Sequence, residues 1–262
     1  MRKAWLVAIV LLNASPLPAQ TGFLDRAITM HGETYRYQVY VPSDYTVQTK
    51  WPVIVSLHGN GDQGSDGMYQ TNAAFARRIR DNRGPFPAIV VFPQGKVGTR
   101  WLYPEMQELV IAELDRTIAE FSIDAARVYL TGYSMGATGS YRLAFKWPAR
   151  FAALVTVAGR VEPGAGYAAI ESETDRRTNA FVTAPDPFAA LAAGIRHIPI
   201  WIVHGDADEQ VPVAQSRQLV SALQHARADV HYTELAAVTH SGVPSRAYAD
   251  STLVQWLFAQ HR

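Results

Sequence analysis

The feature that most restricts the fold of this chain is a series of short, unbroken apolar runs separated by stretches with helical spacing. A strand buried on both faces of a parallel sheet has a continuous run of Val, Ile and Leu rather than an alternating pattern. Five such runs occur, at residues 53–57, 88–92, 128–130, 153–157 and 198–203. Strands that alternate with helices form right-handed βαβ units, so the sequence predicts an α/β domain around a parallel sheet.

Three further strands are predicted at the two ends of this series. Residues 23–30 and 34–41 flank a His-Gly pair, and the second segment alternates between apolar and polar side chains, as in a half-buried antiparallel hairpin. Residues 230–235 have a more mixed pattern, which favours an edge strand. We therefore expect a mostly parallel, eight-stranded sheet with helices on both faces. The helices are predicted at residues 68–81, 105–121, 134–146, 215–226 and 247–260.

Composition and charge exclude several classes of function. The chain has 262 residues, of which 48% are hydrophobic, which is enough for the core of one large domain. The formal net charge is +1 and the basic residues are scattered, whereas nucleic-acid binding usually requires a concentrated basic face. We therefore expect no nucleic-acid partner. The chain has no cysteine, which excludes a catalytic thiol and a thiolate metal site.

The first residues have the pattern of an export signal. Arg2 and Lys3 form a positive region, residues 4–12 form a short apolar run, and small residues and prolines follow. The run is shorter than the ~20 residues needed to span a bilayer. We expect a signal peptide over residues 1–19 and one exported domain over residues 20–262, periplasmic or extracellular and without a membrane anchor. The alternative is an N-terminal helix packed on the domain.

One stretch, residues 162–194, interrupts the alternation of strands and helices. It is rich in Ala, Gly, Pro and Thr and carries a charged patch at residues 171–177. It is either a loop with one helix or a small lid over the site, since loops often carry substrate specificity.

The strongest motif is Gly132-Tyr133-Ser134-Met135-Gly136, which lies between an apolar strand and a predicted helix. A nucleophile elbow has this pattern, because its serine occupies a sharp turn from a strand into a helix. The glycines keep side chains away from the point where the strand and the helix approach closely. The motif therefore predicts that Ser134 is a nucleophile.

An activated serine needs a histidine to accept its proton and an acid to orient that histidine. In chains with such an elbow the acid and then the histidine follow the serine. The loop after the strand at 198–203 contains Asp206, Asp208 and Glu209, and the carboxyl end of a strand is where ligand sites collect. Residue type alone leaves the choice among the three open, since each is also an ordinary turn residue.

The histidine is easier to identify. His240 lies in a loop between the last strand and the last helix, and we predict that it is the base. His225 falls in a predicted helix and is expected to face solvent, whereas His231 falls within the last strand. His58 and His204 are expected to be structural histidines at strand ends.

An oxyanion hole requires N–H groups that face the developing negative oxygen. One donor is expected to be the backbone N–H of Met135, which follows the nucleophile. The other is expected from the glycine-containing loop after the third strand, where we assign Asn60, with Gly61 as the alternative.

No metal or cofactor is expected. Residues 62–67 weakly match a calcium-binding loop, but the third-position ligand is missing and Ala73 stands where a bidentate Glu would be required.

On these motifs, the chain resembles bacterial secreted esterases of the α/β-hydrolase fold. The group includes polyhydroxybutyrate-depolymerase-like and feruloyl-esterase-like enzymes, some described as predicted peptidases or phospholipase/carboxylesterases. The resemblance begins near Tyr35 and extends to the C-terminus. It is carried by Tyr35-Arg36-Tyr37, Val39-Tyr40-Val41-Pro42, Leu57-His58-Gly59, the elbow motif, His204-Gly205 with Asp208 and Val211-Pro212, and Trp256-Leu257-Phe258.

The resemblance implies roles for individual residues. The family pattern His-Gly-x-x-Asp-x-x-Val-Pro falls on Asp208, which implies that this residue, rather than Asp206, is the acid. The residue after His-Gly in the early loop donates to the oxyanion, which implies Asn60. The family histidine usually lies in Gly-His-Asn-Ser-Trp or a similar sequence, whereas His240 here is followed by Ser, Gly and Val, so its neighbours on the substrate side differ.

The predicted function is hydrolysis of a small-molecule or polymer-attached ester through an acyl-enzyme on Ser134. A serine peptidase of the same fold would use the same triad, although such peptidases often carry a large extra domain, for which this sequence has no pattern. A third reading is a catalytically silent binding protein. Trp101 and Tyr103 follow the fourth strand, where they either line a cleft for an aromatic group or pack against the edge of the sheet.

Overall fold

The computed structural model describes residues 20–82, 86–162 and 180–262. Eight strands form one sheet in the order β1-β2-β4-β3-β5-β6-β7-β8. Only the β1–β2 and β2–β4 pairs are antiparallel. This is the mostly parallel, eight-stranded sheet that the sequence predicts. The strands are β1 (Gly22–Met30), β2 (Glu33–Val41), β3 (Trp51–Leu57), β4 (Ile89–Phe92), β5 (Ile123–Tyr133), β6 (Ala153–Val157), β7 (Ile200–Gly205) and β8 (Val230–Leu235).

Helices cover both faces of the sheet, as predicted. Successive side chains of a strand point to opposite faces, so a fully apolar strand supplies two cores. In β5, for example, Leu130 belongs to one core and Tyr129 to the other. The first core packs against α2 (Pro104–Glu120), α3 (Met135–Lys146), α4 (Pro187–Ile195) and α5 (Ala214–His225). The second packs against α1 (Ala74–Asp81), α6 (Val243–Ala249) and α7 (Ser251–Ala259).

Two helix boundaries differ from the sequence prediction. The helix expected over 68–81 begins only at Ala74, because the preceding residue is extended and the turn before it is held against β4 by Gln70, which donates to the carbonyl of Phe92. The helix expected over 247–260 is two helices. Asp250 is extended between them, and its side chain accepts a hydrogen bond of 2.8 Å from the Thr252 N–H as an N-cap.

Two predicted segments lie partly or wholly outside the described residues. These are the signal peptide over 1–19 and most of the stretch that we expected to be a lid or a loop. Of that stretch, 180–194 is described, and it contains a short 3-10 turn and most of α4. The helices of the described ranges include none that is long and apolar enough to cross a bilayer.

The parallel strands bring the predicted functional segments to one edge of the sheet. The carboxyl ends of β3, β5, β7 and β8 lie there, because β3, β5, β6, β7 and β8 are parallel and adjacent. The loop after β3 contains Asn60, the elbow after β5 contains Ser134, and the loops after β7 and β8 contain Asp208 and His240. Residues far apart in the chain therefore converge at one place.

A buried acid on α2 has a consequence for stability. Glu113 is fully buried, and neither of its carboxylate oxygens has a hydrogen-bond partner within the described part of the chain. Burial raises the pKa of this carboxyl well above its usual value, because the charged form would lose its hydration without gaining a partner. Burial therefore favours the neutral form of Glu113.

We expect Glu113→Gln to stabilise the protein increasingly as the pH rises. A carboxyl whose pKa is higher in the folded state contributes its stability below the unfolded pKa and loses it as the pH rises towards the folded pKa. The amide has nearly the same shape and no such titration, so the melting temperature at pH 8 should rise by about 2–4 °C. Thermal melts between pH 5 and 9 measure this, with Glu108→Gln on the exposed side of the same helix as control. Equal differences from the wild type at all pH values would contradict the prediction.

Candidate active site

The elbow between β5 and α3 holds Ser134 in a strained backbone conformation, with φ of 55° and ψ of −116°. Its N–H donates to the carbonyl of Val157 at 2.8 Å. A Cβ added to Gly132 would lie 2.3 Å from the backbone of Gly136, and one added to Gly136 would lie 2.1 Å from the Leu57 carbonyl oxygen. Both positions therefore require glycine, and the serine is forced out at the top of the turn.

The structure brings the three predicted triad residues together. His240 Nε2 lies 2.9 Å from Ser134 Oγ, and His240 Nδ1 lies 2.6 Å from Asp208 Oδ2. The side chains of Asp208 and His240 are 0% and 6% exposed. A carboxylate oxygen only accepts, so Nδ1 carries the proton and Nε2 is left with a lone pair for the serine hydroxyl. This is the tautomer that a general base requires.

The acidic loop after β7 gives its two aspartates different contacts. Asp208 Oδ1 accepts from the N–H groups of Gln210 and Val211 at 2.9 and 2.8 Å, which leaves Oδ2 for His240. Asp206 is exposed, and its Oδ1 accepts from the Ala237 N–H at 2.6 Å. Asp206 therefore ties the loop after β7 to the loop after β8, whereas Asp208 contacts the histidine.

Tyr133 positions the histidine from the other side. Its hydroxyl donates to the His240 carbonyl at 3.1 Å, and the centres of the two rings are 5.0 Å apart. Burial, and to a lesser extent the negative charges of Asp208 and Asp62, raise the pKa of Tyr133 to about 12, so the hydroxyl remains a donor. This role is not predictable from the motif, because Tyr133 occupies its variable position and no residue type is required there.

His58 fixes the orientation of the loop that contains Asn60. It is buried, and burial lowers its pKa to about 4, so its ring is neutral. Nε2 accepts from the Gly95 N–H at 3.0 Å, so Nδ1 carries the proton and donates to the Gly59 carbonyl at 2.6 Å. The C=O and N–H of a trans peptide point in opposite directions. The Asn60 N–H is therefore directed away from His58.

A cleft of about 270 Å³ opens beside the serine. Its lining consists of Asn60, Leu102, Ser134, Met135, Thr138, Arg160, Gln210 and Val211. Both predicted oxyanion residues thus line it, whereas Gly61 does not. Trp101 is not part of the lining. It is only 1% exposed and its indole N–H donates to the His58 carbonyl at 3.0 Å, so it packs beneath the loop. Tyr103 is half-buried against the core and is also absent from the lining. Of residues 101–103, it is Leu102 that lines the cleft.

The remaining candidate residues do not belong to the lining of the cleft. Glu209 and His225 are exposed, and His231 stacks on Trp201 at the outer strands of the sheet. His204 is fully buried at the end of β7, where it contacts Asp208. Among the residues that the structure describes, no group of three or more His, Asp or Glu side chains is arranged to hold a metal ion.

Residues 28–256 match the model of the Esterase family, which is described as "Putative esterase". The bifunctional acetylxylan esterase/xylanase XynS20E of Neocallimastix patriciarum is 28% identical over 221 residues, which cover 83% of this chain and 27% of that protein. The chain thus spans about a quarter of the length of this curated relative.

Two of the similar solved structures each cover most of this chain. A thermostable esterase is 26% identical, with a TM-score of 0.71 over 92% of this chain and 63% of the other. A ferulic acid esterase of the anaerobic fungus Anaeromyces mucronatus is 20% identical, with a TM-score of 0.58 over 87% of this chain and 90% of the other. These likenesses confirm the predicted fold.

Proposed function

Because the chain belongs to the Esterase family, whose model matches residues 28–256, we propose that it is a serine hydrolase that cleaves carboxylic esters. The family assignment and the esterase relatives confirm the resemblance to α/β-hydrolase esterases that the motifs indicate. In the proposed enzyme Ser134 is the nucleophile, His240 is the general base and Asp208 is the acid.

The observation that carries this proposal is an unbroken chain of hydrogen bonds from Asp208 through His240 to the Ser134 hydroxyl, which ends in an open cleft. Stability of the fold does not require a histidine that contacts both a buried carboxylate and the serine of an elbow. As a catalytic arrangement, the same contacts give the serine a base of the correct tautomer.

In the first step, Ser134 Oγ attacks the ester carbonyl carbon while His240 Nε2 takes its proton. The N–H groups of Asn60 and Met135 stabilise the negative oxygen of the tetrahedral intermediate. His240 then gives the proton to the leaving alkoxide, the alcohol departs and an acyl-enzyme remains. In the second step, water attacks the acyl-enzyme as His240 takes a proton, and the carboxylic acid leaves as Ser134 regains one.

The rival function is a serine peptidase, which would use the same residues. Parallel assays on p-nitrophenyl esters and on aminoacyl p-nitroanilides separate the two. We expect the esters to be cleaved and the anilides to be cleaved far more slowly. Preferential cleavage of the anilides would support the peptidase, whereas a folded protein that cleaves neither and resists serine-directed probes would support a silent binding protein.

A panel of ester substrates can identify the acyl group that the protein prefers. The printed name of the Neocallimastix relative includes acetylxylan esterase, so the panel should contain acetylated xylan and acetyl, butyryl, octanoyl and feruloyl esters. Acetyl esters among the better substrates would agree with that likeness.

We also propose that the protein is exported and cut after Ala19. The support is the basic start, the short apolar run and the small residues that follow it. Protein from a host that exports it should begin at Gln20 when its intact mass is measured. An exported protein that still carries Met1 would contradict the prediction.

A further inference from the structure

A second histidine contacts the proposed catalytic acid. His204 Nε2 lies 3.2 Å from Asp208 Oδ2, the same oxygen that His240 contacts at 2.6 Å. His204 Nε2 also lies 3.0 Å from the Val211 carbonyl, and its Nδ1 lies 2.7 Å from Ser216 Oγ. His204 and Ser216 are at most 1% exposed, so solvent does not compete for these contacts.

The contacts of His204 determine its tautomer. Both partners of Nε2, a carbonyl and a carboxylate, are acceptors only, so Nε2 must carry a proton. Burial lowers the pKa of His204, which favours a neutral ring with one proton. Nδ1 therefore has a lone pair and accepts from the Ser216 hydroxyl. The N–H group of this ring thus donates to the Val211 carbonyl at 3.0 Å and also lies 3.2 Å from Asp208 Oδ2, so its partial positive charge faces the carboxylate.

We propose that His204 is a positioning residue for the catalytic acid, which holds Asp208 Oδ2 at His240 and withdraws part of its negative charge. The inference rests on the proposed function. Oδ1 of Asp208 accepts from two backbone N–H groups, and Oδ2 lies between His240 Nδ1 at 2.6 Å and His204 Nε2 at 3.2 Å. His204 also donates to the carbonyl of Val211, whose own N–H donates to Asp208, so it holds the turn that orients the carboxylate.

The other charged groups around His204 do not replace this role. Glu234 lies opposite His204 in the register of β7 and β8, but it pairs with Arg217 of α5, whose hydrogen bonds lower the pKa of Glu234 to about 2. That pair stays ionised throughout an assay between pH 5 and 9. Within the described part of the chain, the charged or titratable groups that shift the pKa of His204 are Asp208 and His240 themselves.

The test compares a variant that lacks the donor with one that restores it. His204→Leu removes the N–H, whereas His204→Gln places an amide N–H near the position of Nε2. We expect His204→Leu to lower kcat by about tenfold to a hundredfold with little change in KM, since it loses the buried hydrogen bond to Val211 and the N–H group that faces the charged Asp208. His204→Gln should recover most of this loss. Thr156→Val on β6, which removes a buried hydrogen bond to Tyr141 of α3, controls for lost stability and should keep kcat within about twofold.

The pH profile provides a readout that a purely structural role would not move. His204→Leu removes the N–H group that faces the Asp208 carboxylate. The carboxylate then keeps more of its negative charge and attracts the proton on His240 more strongly. The acidic limb of kcat/KM should therefore shift to higher pH, and His204→Gln should shift it back. A loss of activity with an unchanged acidic limb, or wild-type kcat in a folded His204→Leu, would overturn the inference.

A spectroscopic measurement separates this inference from the proposed function. ¹⁵N spectra of histidine-labelled protein should show His204 as the neutral Nε2–H tautomer at pH 7, and its N–H signal should shift in Asp208→Ala. The contact would be overturned if the His204 ring is doubly protonated, if it is the Nδ1–H tautomer, or if its N–H signal is the same in Asp208→Ala. These outcomes do not depend on which substrate the protein hydrolyses. If these signals are as expected but the wild type cleaves no ester, the proposed function fails and the contact between His204 and Asp208 stands.

Discussion

Ser134→Ala is expected to lower kcat for ester hydrolysis by at least about a thousandfold while the fold is retained. In a comparable serine hydrolase, loss of the nucleophile costs about a millionfold, and the remaining activity comes from the oxyanion hole and from binding. Alanine has no atom that can attack the ester, but it is no more strained than serine at a φ of 55°. The melting temperature should therefore change little. Ester hydrolysis and labelling by a fluorophosphonate probe, located by mass spectrometry, measure the effect.

Ser245→Ala is the matched control for this variant, because Ser245 is exposed and donates only to the Gly242 carbonyl. It should keep full labelling and activity. A chelator should also leave wild-type activity unchanged. Labelling that persists in Ser134→Ala, or activity that a chelator abolishes and a metal ion restores, would be evidence for a different site.

Asp208→Asn is expected to lower kcat by at least about a hundredfold, and Asp206→Asn to have a much smaller effect. In Asp208→Asn, the amide oxygen can still accept from the backbone N–H groups, but the NH₂ group then faces His240 Nδ1. Two donors cannot pair, so the histidine ring is driven to the tautomer with its proton on Nε2, and it can no longer accept a proton from Ser134. In Asp206→Asn the remaining oxygen can still accept from the Ala237 N–H.

The comparison requires both variants to be folded, which thermal melts establish. An active Asp208→Asn beside an inactive, folded Asp206→Asn would reassign the acid. The proposed serine mechanism would not be affected, because the nucleophile and the base would be the same.

Much of the fold follows from local pattern. The unbroken apolar runs predict buried strands because β3 to β7 are covered by helices on both faces. The alternating run at 34–41 predicts the hairpin, but not its burial, since all five residues from Tyr37 to Val41 are buried in the structure. The helix boundaries were less predictable. Asp250 interrupts a sequence with good helical spacing, and Gln70 holds a turn through a contact with β4, which is distant in the chain.

The candidate site was predictable where chemistry requires a particular residue type. The elbow needs its glycines and serine, and the base needs a histidine after the last strand. Residue type did not separate Asp206 from Asp208, because both are turn residues and they differ in burial and in hydrogen bonds, which the residue type does not contain. The sequence left the role of Trp101 open for a similar reason. A large aromatic residue beside a site either lines the cleft or supports it from beneath, and the sequence does not contain that distinction.

The contact between Gly136 and Leu57 has a consequence for thermal motion. Gly136 follows Met135 and Leu57 is three residues before Asn60, so the two proposed oxyanion donors flank one contact between backbones. No side chain lies in that contact, so no rotamer change there can alter the distance between the donors. We expect the amides of these segments to have NMR order parameters of about 0.85, as in rigid backbone. The hole should therefore keep the same width before and after an ester binds.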